Sequence, residues 1–189
     1  MSGRRWLLPI AVAVALAQIG FLWSMIAGRA AILRDGREVT LAVEPIDPRD
    51  LLRGDYVVLG YNISSLSIEI FTAPPPGDEE TVFVRLKAGE DGVWKPVVAR
   101  YGVPPEPASA ADEVDIKGRA GPIWAEQMGW VNVRYGIERF YVPEGEGRAI
   151  EAAIGDRSFR MKVAVAADGA AQIKSFHDGE TMLYAEPFY

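Results

Sequence analysis

Few side chains in this 189-residue chain could do chemistry. There is one histidine, His177, and no cysteine. A metal site would therefore rest on carboxylates, a donor set that suits calcium or magnesium. Asp78-Glu79-Glu80 and the pair Asp178 and Glu180 are the acidic groups on offer. Neither has the spacing of a dedicated calcium loop, and both read as solvated charge runs. His177 precedes a turn in HDGE and reads as a structural or solvent-facing loop residue. Ser64, Ser65, Ser67, Ser109, Ser158 and Ser175 carry neither a GxSxG elbow nor another activating signature. No Walker or dinucleotide glycine pattern occurs. These residues predict no enzyme activity, no metal and no cofactor.

The best candidates for a site lie in IDPRDLLRGDYVVLGY, Ile46 to Tyr61. Asp47 can cap a helical turn whose first position suits Pro48, with Asp50 where a capping partner belongs. Arg49 lies between them, Leu51 and Leu52 are the apolar contacts, and Gly54 supplies a left-handed exit. From Asp55 the chain reads as one strand, with Asp55, Val57, Leu59 and Tyr61 opposite Tyr56, Val58 and Gly60. The candidates are Asp47, Pro48, Arg49, Asp50, Gly54, Asp55, Tyr56, Leu59 and Tyr61. In the structural reading Asp55 accepts backbone N–H bonds, Leu59 packs inside and the tyrosines anchor through their hydroxyls. In the binding reading Asp55 and the tyrosines face a glycan or a peptide, although Tyr56 and Tyr61 project to opposite faces.

GDYVVLGY at Gly54 to Tyr61 resembles the pattern of the GDYXXLXY domain family of bacterial membrane-anchored proteins. Every fixed position is met: Gly54, Asp55, Tyr56, Leu59 and Tyr61. The preceding VEPIDPRDLLR, Val43 to Arg53, is similar too, as is the plan of one N-terminal apolar segment and one domain. The resemblance carries no activity. It implies a membrane partner, since such proteins often accompany multi-pass membrane proteins. An anchor followed by a β domain is also the plan of type I signal peptidases, which need a serine soon after the anchor and a lysine base. No serine lies between Ala27 and Asp55, and the first lysine is Lys87, so that mechanism is unsupported.

The elements that would carry these residues begin with Trp6 to Ala27, which contains no charge. Its 22 residues would span ~33 Å as a helix, enough for a bilayer core. Arg4, Arg5 and Arg29 flank it, Trp6 and Trp23 sit near its ends, and Pro9 falls in the first turn. Met25, three positions before a cut after Ala27, spoils a signal-peptidase site, so an uncleaved signal-anchor is expected over residues 1–30. The flanks are basic on both sides, but a long domain behind such a segment is usually translocated. The expected topology is a single pass in a bacterial inner membrane with the C-terminal domain extracytoplasmic, in the periplasm. The first 38 residues hold five basic side chains and two acidic ones. That leaves 15 of the 20 basic and 24 of the 26 acidic residues for the rest, a net charge of −9. Such a domain repels phosphate backbones, which argues against nucleic acid and against attraction to anionic lipid surfaces.

Residues 38–189 read as one β-rich domain. After a short juxtamembrane link, strands are expected at Glu38–Val43 and Ser67–Phe71. Thr81–Lys87 alternates, with Val82, Val84 and Leu86 inward and Phe83, Arg85 and Lys87 outward. Glu90-Asp91-Gly92 turns it into Val93–Tyr101, where Pro96 marks an edge or bulge. Loops follow at 73–80 and 102–113. Further strands are expected at Asp115–Arg119, Gly129–Tyr135, Glu138–Val142, Ser158–Ala166, Ala171–Phe176 and Met182–Tyr184. Glu144–Ile154 is the one soluble helix, stopped by Gly155. The fold expected is mainly β with one short helix (α+β), an antiparallel sheet or partly closed barrel behind a transmembrane helix. The role expected is binding or supporting another envelope component. The alternatives are a glycan or peptide module using exposed Trp94, Trp124 and Trp130, or an envelope hydrolase.

Overall fold

The computed structural model describes residues 4–44, 56–73, 80–121, 129–141 and 157–187. Helix α1 (Arg4–Asp35) is alanine-rich and uncharged from Trp6 to Ala27. Its apolar side chains from Leu7 to Ile26 are exposed, so this helix is long and apolar enough to cross a membrane. The expected juxtamembrane link is instead helical. Leu33 is buried against the sheet, and Gly36 alone separates α1 from β1, its N–H donating to Ile32 O at 2.9 Å.

Among the described residues twelve strands follow. They are β1 (Arg37–Glu44), β2 (Tyr56–Val58), β3 (Gly60–Tyr61), β4 (Ser65–Ser67), β5 (Thr81–Ala88) and β6 (Trp94–Tyr101). Then come β7 (Glu113–Ala120), β8 (Trp130–Arg134), β9 (Arg139–Tyr141), β10 (Phe159–Val165), β11 (Ala171–Asp178) and β12 (Thr181–Ala185). One five-stranded sheet runs β12-β11-β10-β1-β3, another runs β4-β8-β7-β5-β6, and β2 pairs with β9. Every strand pairing is antiparallel, and no closed barrel forms among the described residues.

Both large sheets supply one core. Val39, Leu41 and Val43 of β1 and Met161, Val163 and Val165 of β10 join Val82, Val84 and Leu86 of β5 and Ile116 of β7. Each such side chain contributes roughly 1.5–3 kcal/mol by leaving water. The strand β6 lies at a sheet edge, as its proline requires. Arg85 opposes Val98 and Leu86 opposes Pro96, so Val97 is the extra, exposed residue of a bulge.

Several expectations change. Arg85 is on the outer face of β5, opposite Val84 and Leu86, but it is buried there and not solvent-facing. Its guanidinium holds Asp115 at 2.8 and 2.9 Å and donates to Pro105 O and Pro107 O, both at 2.6 Å. A buried charge stays charged only when paired and hydrogen-bonded in this way. Here it ties the 102–112 loop over β5. Ser67–Phe71 is not a strand: Ser67 ends β4 and caps a single 3-10 turn, Ile68–Ile70. His177 is in β11, not a loop, within hydrogen-bonding distance of buried Ser175 Oγ through Nε2 at 2.8 Å. The helix expected at 144–154 lies outside the described residues.

Candidate functional site

Of the nine candidate residues, Asp47, Pro48, Arg49, Asp50, Gly54 and Asp55 lie outside the described residues. Tyr56 opens β2 opposite Tyr141. The expected continuous strand is broken at Leu59: β2 pairs with β9, whereas β3 pairs with β1. At the crossover Leu59 N donates to Glu138 O at 2.8 Å. Leu59 and Tyr61 are both about 1% exposed, inside the shared core.

Two tyrosines fasten this crossover reciprocally. Tyr61 Oη donates to Ile137 O at 2.6 Å, and Tyr135 Oη donates to Ile63 O at 2.8 Å. Segment 61–63 is thus tied to segment 135–137 from both sides. Burial pushes both phenols well above their ordinary range, and the nearby Glu138 charge adds to it. Neither hydroxyl is a proton donor of use near neutral pH; both serve as anchors. The Glu138 carboxylate in turn accepts from Tyr135 N and from Gly136 N, the latter at 3.0 Å, closing the turn where Gly136 has φ 80°. Ser64 Oγ accepts from Tyr61 N at 3.0 Å.

Asn62 adds a second joint that sequence reasoning missed. Its Oδ1 accepts from Ala42 N at 3.1 Å and its Nδ2 donates to Trp94 O at 2.7 Å. One side chain therefore links β1 of the first sheet to β6 of the second. No local periodicity marks such a residue; its signal is a polar side chain immediately after a buried strand end.

The turn at Gly136 stands among three hollows. One of about 560 Å³ is bordered by Leu59, Ser64, Asn132, Arg134 and Arg139. Another, about 640 Å³, lies toward Lys117 and Arg119. The third, about 240 Å³, reaches α1. Among the described residues no three His, Asp or Glu side chains gather as metal ligands would. Trp94 is buried under Arg37, whose guanidinium lies 5.1 Å from the ring centre, so it cannot be part of an exposed aromatic platform. Trp130 is exposed, and Trp124 lies outside the described residues.

A membrane-length helix running straight into a two-sheet antiparallel domain, with its crossover strand locked by tyrosines, defines the class of protein. The chain belongs to the GDYXXLXY protein family, whose model matches residues 18–176. The match begins inside α1 and ends within β11, so the family unit takes in the helix–domain junction as well as the motif. Comparison with curated proteins and with solved structures found no match.

Proposed function

We propose that this is a single-pass membrane protein whose β domain faces the periplasm of a bacterium and binds or supports another envelope component without catalysis. The observation that carries this reading is the unbroken course of α1. An exposed apolar surface at one end becomes a packed, buried Leu33 at the other, so the domain packs against the end of the membrane-length segment. A tethered module of that kind serves best where its partner is also in the membrane, and a multi-pass membrane protein is the partner proposed. The non-catalytic reading is supported by the chemistry described above. The tyrosine hydroxyls are committed to carbonyls, and Ser175, the serine beside His177, is 6% exposed. The domain's net charge of −9 leaves nucleic acid without an electrostatic footing.

The test has two parts. A reporter active only outside the cytoplasm, fused after Tyr189, should be active while the full-length chain stays in alkali-washed membranes. Crosslinking in intact cells through a photoreactive residue at Trp130, which is exposed, should capture a membrane protein. A reporter active only in the cytoplasm, or release of a shortened soluble product, would reject the topology.

A further inference from the structure

Apart from its tryptophans, the uncharged stretch of α1 from Trp6 to Ala27 carries two polar side chains, Gln18 and Ser24. Ser24 is satisfied within its own helix, its Oγ donating to Phe21 O at 2.8 Å. Gln18 is exposed, and among the described residues its amide has no hydrogen-bond partner. Its depth relative to a bilayer follows from chain geometry. The midpoint of the uncharged stretch falls between Leu16 and Ala17. At ~1.5 Å per residue, Gln18 lies about 2 Å past that midpoint along the axis. A hydrocarbon core of ~30 Å centred on the stretch leaves about 13 Å to the nearer headgroup layer. A glutamine side chain does not reach that far. An amide with two N–H donors and a carbonyl, left bare in hydrocarbon, is costly, so Gln18 must find its partner on another membrane helix.

We infer that Gln18 pairs with Gln18 of a second copy of this chain, joining two α1 helices as a parallel pair within the bilayer. The inference rests on the membrane-anchored reading proposed above. A second copy is the fitting occupant for two reasons. Copies inserted the same way carry Gln18 at one depth, so a two-fold axis along the membrane normal sets the two amides opposite each other. A primary amide is also self-complementary, since each Nε2 donates to the other's Oε1. The neighbours suit close packing. Ala11, Val14, Gln18, Phe21 and Met25 follow one another at alternating spacings of three and four, the a and d positions of a heptad. All five are exposed. The β domain lies on another side of the helix. Buried Leu33 and half-buried Ala30, where it packs, fall at b and f of the same heptad, which face away from the seam.

The experiment uses the full-length chain, which has no cysteine of its own. Single cysteines are introduced and oxidised in native membranes. Val14→Cys and Phe21→Cys, on the seam, should give a disulfide-linked dimer of the chain. Leu16→Cys and Trp23→Cys, at f positions on the far side, should not. Self-association of the chain in detergent is then measured by sedimentation equilibrium. Gln18→Leu should weaken it about tenfold, the equivalent of ~1.4 kcal/mol for the amide pair. Gln18→Asn should keep most of it, and Ser24→Ala should leave it unchanged, because Ser24 bonds within its own helix. A monomeric wild type, equal association in Gln18→Leu, crosslinking as strong from the far side, or a seam crosslink to a different protein instead of a second copy would each overturn the inference. Alkali-washed membranes separate the two failures: a chain absent from them defeats the anchor reading, whereas a chain present but monomeric defeats only this one.

Discussion

Removing one oxygen atom from Tyr61 tests whether the crossover is a structural joint. Tyr61→Phe keeps the ring in the core and deletes the hydroxyl that donates to Ile137 O at 2.6 Å. The carbonyl is left without that donor in a buried setting, at a cost of about 2 kcal/mol within a range of ~1–3. For a domain of this size, that cost corresponds to a fall in Tm of about 4–8 °C. Tyr135→Phe removes the bond to Ile63 O and should cost a similar amount. The two bonds hold the same pair of segments together, so their losses should not add. Once one is cut the second restrains less, and the double variant should fall short of additivity by ~0.5–1 kcal/mol. Melts of the full-length chain in detergent, followed by tryptophan emission with Trp6, Trp23, Trp124 and Trp130 replaced by Phe so that buried Trp94 alone reports, would read this out. Asn62 already couples the Trp94 backbone to the crossover, which makes it a suitable reporter. A Tyr61→Phe midpoint within ~1 °C of wild type, or strict additivity of the pair, would refute the reciprocal-clamp argument.

Arg85→Met should cost roughly 3–5 kcal/mol, because it strands Asp115 and two proline carbonyls. Limited proteolysis should then cut within the 102–112 loop, and Arg85→Lys should not restore protection, since an ammonium cannot reproduce the fork. Burial, with help from the Lys162 charge, holds His177 below its ordinary range, against the opposing pull of Glu180 and Glu38. A depressed histidine contributes stability that is present above the unfolded-state value of about 6.5 and lost as pH falls through the folded-state value. Wild type should therefore lose more stability than His177→Gln between about pH 7.5 and pH 5.5. Identical pH profiles would show that the histidine is not held neutral by the fold. Leu33→Ala should destabilise the β domain by about 2–5 kcal/mol although it lies in the helix, and an unchanged melt would show that helix and sheet are uncoupled.

What the sequence made legible is whatever depends on a local pattern. The alternation of Val82, Val84 and Leu86 placed one face of β5 in the core, and Pro96 marked an edge with a bulge. Arg85 was not legible, because its burial depends on a loop some 20 residues on that folds back over β5. The sequence places Tyr61 and Leu59 on one uninterrupted strand and leaves the tyrosine open between a core anchor and a binding surface. The switch between partners at Leu59 left no trace, since nothing in residues 56–61 says which strand each half will meet. His177 reads as a loop residue because Asp178-Gly179 advertises a turn, yet β11 continues through Asp178 itself. Trp94 looked available as a platform until Arg37, 57 positions earlier, proved to cover its ring.

Why the chain changes partner at Leu59 follows from two demands placed on one short stretch. β1 leaves the end of α1 with Gly36 alone between them, and β10 occupies one edge of it from Arg37 to Ala42. Val43 and Glu44 remain to take a partner on the way out, and β3 fills that place with only two residues. Two residues of ladder cannot hold a strand by backbone bonds alone, so side chains must do it. Tyr61 reaches across to Ile137, Asn62 grips both Ala42 and Trp94, and Ser64 closes the following turn onto Tyr61. The polar atoms of these side chains are therefore used in joining the sheets. A ligand competing for them would have to open the core. Any binding surface at this end must then be built from the rim around Gly136, where Arg134, Arg139 and Asn132 border open space, and not from the buried side chains of Leu59 and Tyr61.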